Sequence, residues 1–170
     1  DQMAVHIPLS AKAQIEAMPE GGTFVMLAPP DPYRCPPGPY ERISMIGHLL
    51  KQKNPKAKIL VLDPKEKFSK QAVFQEGWER HYPGMIEWLP GSITGAIENV
   101  DVANMTITAG GETYKADAAT VIPAQKAGAI AEKAGLTDAK GWCPIKPATM
   151  QSAMDENMHI VGDASIASAM

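Results

Sequence analysis

The sequence has little cysteine, little aromatic surface, no excess of positive charge and no long apolar run. It also lacks a glycine-rich loop in the place where its α/β pattern calls for one. Two Cys in 170 residues make no disulfide framework. A formal net charge of −3, with no Lys/Arg run interleaved with aromatics, excludes nucleic acid as a partner. No stretch approaches the ~18 to 20 apolar residues of a membrane-spanning helix, which argues against membrane contact, and the first residues lack the basic-then-apolar pattern of a signal peptide. His6, His48, His81 and His159 show no zinc-like spacing with each other or with the cysteines, so no metal site is expected. Neither a G-x-S-x-G nor a P-loop occurs. What remains is a chain with 45% hydrophobic residues, enough for one sizeable core.

Residues 28 to 40 read Ala-Pro-Pro-Asp-Pro-Tyr-Arg-Cys-Pro-Pro-Gly-Pro-Tyr, between a strand pattern and a helix pattern. In a nucleotide-binding unit this loop aims backbone N–H groups at a pyrophosphate. Here Pro29, Pro30, Pro32, Pro36, Pro37 and Pro39 have no N–H to offer. The expectation is a loop that does not bind pyrophosphate but holds Cys35 on a rigid, mostly extended scaffold, because proline biases the residue before it away from helix.

Thr23–Ala28 is a short continuous apolar run, as a buried parallel strand would be. Tyr40–Lys53 places Ile43, Ile46, Leu49 and Leu50 at helical spacing, and Lys58–Asp63 reads as a second buried strand ending in an acid. A second helix runs to about Arg80, with Ser69 as its cap and Val73, Phe74 and Trp78 on one face. Ile86–Leu89 follows as a strand. Ala96–Val100, Asn104–Thr108 and Thr113–Lys115 form an antiparallel excursion with Gly110-Gly111 as a hairpin turn. Ala118–Ile122 returns as a strand, a helix runs from about Gly128 to Ala134, and His159–Val161 is the last strand expected. The order predicts an α/β fold: a Rossmann-like, FAD/NAD(P)-binding three-layer domain with a parallel sheet and an antiparallel β-meander, plus pieces of a flanking FAD domain. The expected division is 1–20 as a connecting segment from the FAD domain, 21–125 as the NAD(P)-binding-like domain with a degenerate phosphate loop, and 126–170 as the return into the FAD domain. A start at Asp1 and an end that closes no obvious element suggest a segment of a longer protein.

Cys35 has Arg34 and Arg42 near it in sequence and a helix starting a few residues later, features that favour thiolate. The alternative is a buried cysteine acting as a small apolar side chain. Glu41 could move a proton beside the sulfur, or simply stabilise the first helical turn. Asp63 occupies the place of the acid that binds the NAD ribose, and with its partner loop rewritten it reads as a relic or a cap. Gly162-Asp163 is either a turn or a carboxylate presented at the carboxyl end of a strand. Cys143 reads as an inert thiol in a turn-like stretch; whether it pairs with Cys35 is open. Trp78, Trp88 and Trp142 read as core or interface aromatics.

Several runs occur in order: Arg34-Cys35-Pro36-Pro37-Gly38-Pro39-Tyr40-Glu41-Arg42, Phe68-Ser69-Lys70-Gln71, Gly77-Trp78-Glu79-Arg80, Ile122-Pro123-Ala124-Gln125-Lys126-Ala127-Gly128, Gly141-Trp142-Cys143-Pro144 and Val161-Gly162-Asp163-Ala164. Together they resemble the flavoprotein subunit of flavocytochrome c sulfide dehydrogenase, a relative of the sulfide:quinone oxidoreductases. The resemblance spans most of residues 20 to 167. It implies FAD as cofactor and no NAD, sulfide as substrate, a haem-bearing cytochrome c subunit as partner and the periplasm as location. It implies that Cys35 is half of a redox-active disulfide, that Glu41 is the acid near it, and that Asp163, after Gly162, contacts the flavin. The family's N-terminal glycine-rich FAD motif and the region carrying the partner cysteine are absent here. The chain alone is therefore expected to bind FAD poorly, and Cys35 to be an unpaired thiol in it. Two alternatives stand beside this reading: a non-catalytic docking module for an electron-transfer partner, and an NADH-dependent flavoprotein dehydrogenase domain.

Overall fold

A computed structural model describes residues 7–166. These fall into two compact units, one made of the residues up to Asp31 together with Pro36–Pro123, the other of Pro32–Cys35 together with the residues from Ala124 onward.

The first unit is built on a parallel sheet of β1 (Thr23–Leu27), β2 (Lys58–Leu62), β3 (Ile86–Leu89) and β4 (Ala118–Val121), in the order β3-β2-β1-β4. In register, Val25 lies beside Leu60 on one side and Ala119 on the other, and Val61 lies beside Trp88. Successive side chains point to opposite faces, and here both faces are covered, so β1 reads as an unbroken apolar run. Phe24, Met26, Ile59 and Val61 pack under helices α1 (Ile7–Ala17), α2 (Gly38–Lys53) and α3 (Gln71–His81), through Ile15, Ile43, Ile46, Leu50 and Trp78. Val25, Leu27 and Leu62 pack on the opposite face against Ile107 and Ala116. That cover is an antiparallel meander of β5 (Ile97–Asp101), β6 (Thr106–Ala109) and β7 (Glu112–Lys115). The result is the expected three-layer arrangement, each buried Leu, Ile, Phe or Met contributing about 1.5 to 3 kcal/mol. Gly110 and Gly111 close the last hairpin at φ 58° and 79°, a pair of conformations that favours glycine at both positions.

Four local expectations are corrected. The polar lead-in contains helix α1, whose Gln14 side chain accepts the Ala119 N–H at 3.0 Å. Ser69 does not cap α3: Lys70 takes the cap position at φ 63°, and it is the Gln71 side chain that reaches back to the Phe68 N–H at 3.4 Å. Val73 is 69% exposed, because Phe74 and Trp78, one turn apart, already fill the buried stripe. Asn104 belongs to a turn rather than a strand, donating from its backbone and its side chain to Asp101. Those two bonds hold the Asp101 carboxyl below its ordinary value.

The second unit is made of short pieces: α4 (Ala129–Lys133), the two-residue strands β8 (Ile145–Lys146) and β9 (Gln151–Ser152), and a single 3₁₀ turn, Gly162–Ala164. The expected strand at His159–Val161 reduces to one bridge, between His159 and Gln151, because the neighbouring strand is only two residues long. The apolar centre is small: Ala127, Ala131 and Cys143, with Leu136, Ile160 and Ala164 against them.

Candidate functional site

In the first unit, the place where a dinucleotide's ribose would bind is occupied by the protein's own side chains. Asp63 follows β2 and is fully buried. Its Oδ1 accepts the Lys65 N–H at 3.0 Å and pairs with Lys65 Nζ at 2.7 Å; its Oδ2 accepts the Tyr40 hydroxyl at 2.6 Å and Trp88 Nε1 at 3.0 Å. A carboxylate has about four acceptor positions, and all are taken. Lys65, itself buried, also donates to the Pro29 carbonyl, tying the proline loop to the same ion pair. Tyr40 stacks on Phe68, with ring centroids 3.6 Å apart. Behind the cluster, Thr94 Oγ1 donates to the Asp63 carbonyl at 3.0 Å. Gly91 lies so close that a Cβ there would meet the Pro64 carbonyl oxygen at 2.5 Å, which fixes this position as glycine.

Three of the amides around this loop are also engaged. Tyr40 and Glu41 both donate to the Pro37 carbonyl at 3.0 Å, and Ala28 donates to Leu62. A ribose would have to displace a buried ion pair, and breaking such a pair costs about 3 to 5 kcal/mol. These residues do not fit NAD. Asp63 is thus a structural anchor. Its partners Tyr40, Lys65 and Trp88 escape sequence reasoning; the only local signal is the two-residue spacing of Asp63 and Lys65.

Glu41 lies in the first turn of α2, exposed, at the edge of a groove of about 650 Å³ lined also by Lys12, Arg42 and Met45. It belongs to the first unit, whereas Cys35 and Asp163 belong to the second.

Cys35 is exposed and unbonded, and its φ is 57°. In a loop expected to be mostly extended, the cysteine itself is the residue that departs from extended backbone. The chain turns through a left-handed residue at the cysteine, immediately before Pro36 and Pro37 lead into α2, at a cost of roughly 1 to 2 kcal/mol for a non-glycine residue. Arg34, beside it, has a specific set of partners. Its N–H donates to Gln125 Oε1 at 2.7 Å, its Nε to the Asp163 carbonyl at 2.7 Å, and a terminal nitrogen to the Ser165 carbonyl. Its guanidinium lies over the Trp142 ring, 4.1 Å from the centroid. Trp142 is buried, as expected of a core aromatic.

Asp163 sits in the 3₁₀ turn rather than at the end of a strand. Its main chain is fixed by Arg34, while its exposed carboxylate carries no hydrogen bond or ion pair among the described residues. At Gly162, φ 77°, nothing lies within 4 Å of where a Cβ would be. A free carboxylate beside open space fits the hydroxyl-bearing chain of a flavin nucleotide, so these residues are compatible with FAD.

Cys143 is fully buried and unbonded. Its N–H donates to the Ala164 carbonyl and its own carbonyl accepts the Ile166 N–H, both at 3.0 Å. Burial, and secondarily the charge of Asp138, push its thiol above the ordinary value, which keeps it protonated and inert near neutral pH. No cluster of three or more His, Cys, Asp or Glu able to hold a metal occurs among the described residues, and no described helix is long and apolar enough to cross a membrane.

Among solved structures, the chain is similar to one in the cryo-EM structure of the Tetrahymena thermophila mitochondrial ATP synthase F1Fo composite tetramer, with TM-score 0.59 and 19% identity over 89% of this chain and 39% of that one. It is also similar to an engineered water-forming NADPH oxidase bound to NADPH, with TM-score 0.51 and 9% identity over 85% of this chain and 30% of that one. At these identities the likeness is one of fold, the FAD/NAD-binding α/β fold, and the chain spans well under half the length of either. The family described as the central region of the sulfide dehydrogenase (flavocytochrome c) flavoprotein chain matches residues 9–123, well over half of the sequence, and the chain belongs to that family.

Proposed function

We propose that the chain is the central portion of an FAD-dependent sulfide dehydrogenase subunit, active only within the whole subunit, with Cys35 as its reacting sulfur. The observation that carries this is an exposed cysteine, held at a strained backbone position, in a loop anchored to the segment that presents the free Asp163 carboxylate. In the oxidised subunit Cys35 is disulfide-bonded to a second cysteine outside this chain. Hydrosulfide forms a new S–S bond to Cys35, the disulfide breaks, and its electron pair leaves on the partner thiolate, so that Cys35 becomes a persulfide. Glu41 is the acid that takes up or returns the proton of the incoming sulfur species. FAD, held at Gly162 and Asp163, would supply the acceptor for that electron pair and a one-electron route to the haem of a cytochrome c subunit, in the periplasm. Asp163, after Gly162, accepts hydrogen bonds from the cofactor and so orients it.

Family membership and the thiol's exposure support this reading. Cys143 is a poor candidate for the second cysteine, because it is buried and kept protonated. The NADH-dependent alternative loses ground because the ribose acid is saturated from within. The test is the full-length subunit carrying Cys35→Ser: sulfide-dependent cytochrome c reduction should fall by at least about a thousandfold while the flavin remains bound. A variant that keeps wild-type turnover would remove Cys35 from the chemistry.

A further inference from the structure

Arg34 is the residue of this loop that sequence reasoning credits only with charge, yet its contacts are those of a clamp. A guanidinium has five donors in a rigid plane and recognises paired oxygens through two prongs, where an ammonium acts as a point charge. Arg34 uses two prongs on the Asp163 and Ser165 carbonyls and its flat face on Trp142. The segment it grips is fixed from the other side as well. The Ala164 carbonyl accepts the Cys143 N–H, and Ser165 donates through both its N–H and its hydroxyl to the Gly162 carbonyl, at 3.1 and 2.9 Å. Ser165 is buried, whereas Asp163 is left exposed. On the loop side, the Arg34 N–H is held by Gln125. One side chain therefore joins the residue next to the exposed thiol to the residue that carries the exposed carboxylate.

We propose that Arg34 is a positioning residue: its two-pronged grip on the Asp163 and Ser165 carbonyls, seated on Trp142, fixes the Cys35 loop and the Asp163 carboxylate in one geometry. The proposal rests on the reading above, in which Cys35 reacts and Asp163 holds the flavin. It assigns Trp142 a purpose as the platform for the clamp, and it makes the fork of Arg34, rather than its charge, the required property.

The distinction between fork and charge decides the experiment. Full-length subunits carrying Arg34→Lys and Arg34→Gln are compared with wild type by three measurements: FAD affinity, the pH profile of Cys35 alkylation by iodoacetamide after reduction, and amide exchange at Cys143 and Ile166. The Lys variant keeps the charge beside the thiol, so its alkylation rate should stay within about twofold of wild type across the profile. It loses the fork, so FAD affinity should fall about tenfold or more and exchange at Cys143 and Ile166 should accelerate. The Gln variant should lose FAD affinity to a similar degree. Unchanged exchange at Phe24–Leu27 in both variants confirms that the parallel sheet remains folded. An Arg34→Lys subunit with wild-type FAD affinity and exchange overturns the proposal and leaves Arg34 a charge. If wild-type Cys35 neither alkylates faster than Cys143 nor takes up sulfur, the functional reading fails and the positioning role fails with it, while the exchange data still report the clamp as architecture.

Discussion

The two units hold themselves together in different ways. The first buries both faces of a parallel sheet, under helices on one side and a meander on the other, and most of its stability comes from apolar contact. The second has two-residue strands, a three-residue turn and a core of two alanines and a cysteine. Its order comes from directed contacts: the Arg34 fork, the Asp138 turn that accepts the Lys140 and Trp142 N–H groups, and the Cys143 bridge. An apolar core spreads its stability over many side chains and tolerates local change. A unit held by a few polar contacts positions its groups sharply and loses that position when one contact goes. The first unit also carries a strongly polar feature, the Asp63 cluster, and it is sealed from solvent.

That contrast can be broken at several points. The largest stability effect is expected at the sealed cluster. Asp63→Ala removes the carboxylate that faces the buried Lys65 cation and should cost about 3 to 5 kcal/mol in urea unfolding. A loss under 1 kcal/mol would mean that Lys65 escapes to water and the site can open. Tyr40→Phe keeps the stacking on Phe68 and removes one hydrogen bond to Asp63, so a loss of about 1 to 2 kcal/mol is expected.

Cys143 sharpens the comparison through pH. Its thiol is raised in the folded protein by burial and by Asp138, so the folded state disfavours the thiolate relative to the unfolded chain. The stability linked to it is complete below the ordinary thiol pKa and is lost as pH rises through the raised value. Urea midpoints measured from pH 7 to 10 should decline more steeply for wild type than for Cys143→Ala; parallel declines would show that this thiol is not desolvated. The smallest effect belongs to Val73→Ser on exposed α3, within about 0.5 kcal/mol, and a loss above 1.5 kcal/mol would restore Val73 to the buried stripe from which the structure removes it.

Legibility in the sequence divides along the same line. β1, α2, β2, β3 and the meander announce themselves because both kinds of signal agree, apolar period within each element and Gly, Pro or Asn between them. Helix α1 escapes notice because a stretch rich in Ala, Lys, Gln and Glu looks like solvated linker until the sheet gives its Ile15 somewhere to pack. The strand expected at His159–Val161 rests on three residues of β propensity, and propensity without a long partner strand yields a single bridge. At the site, the unusual loop and Cys35 stand out from composition alone. The Arg34 fork does not, because its acceptors are backbone carbonyls about 130 residues away, and every residue type carries a carbonyl. The same holds for Asp63: an acid after a strand is visible, but its capture by Tyr40, Trp88 and Lys65 depends on how α2 and β3 fold over it.

The central claim is that the exposed thiol of the proline loop, and not the buried one, is where sulfur chemistry takes place. The full-length oxidised subunit can be given a single equivalent of sulfide, quenched with an alkylating agent and digested for peptide mass analysis. The account predicts one added sulfur atom on the peptide carrying Cys35 and none on the peptide carrying Cys143. Sulfur found on Cys143, or on neither peptide while the flavin is reduced, would contradict it.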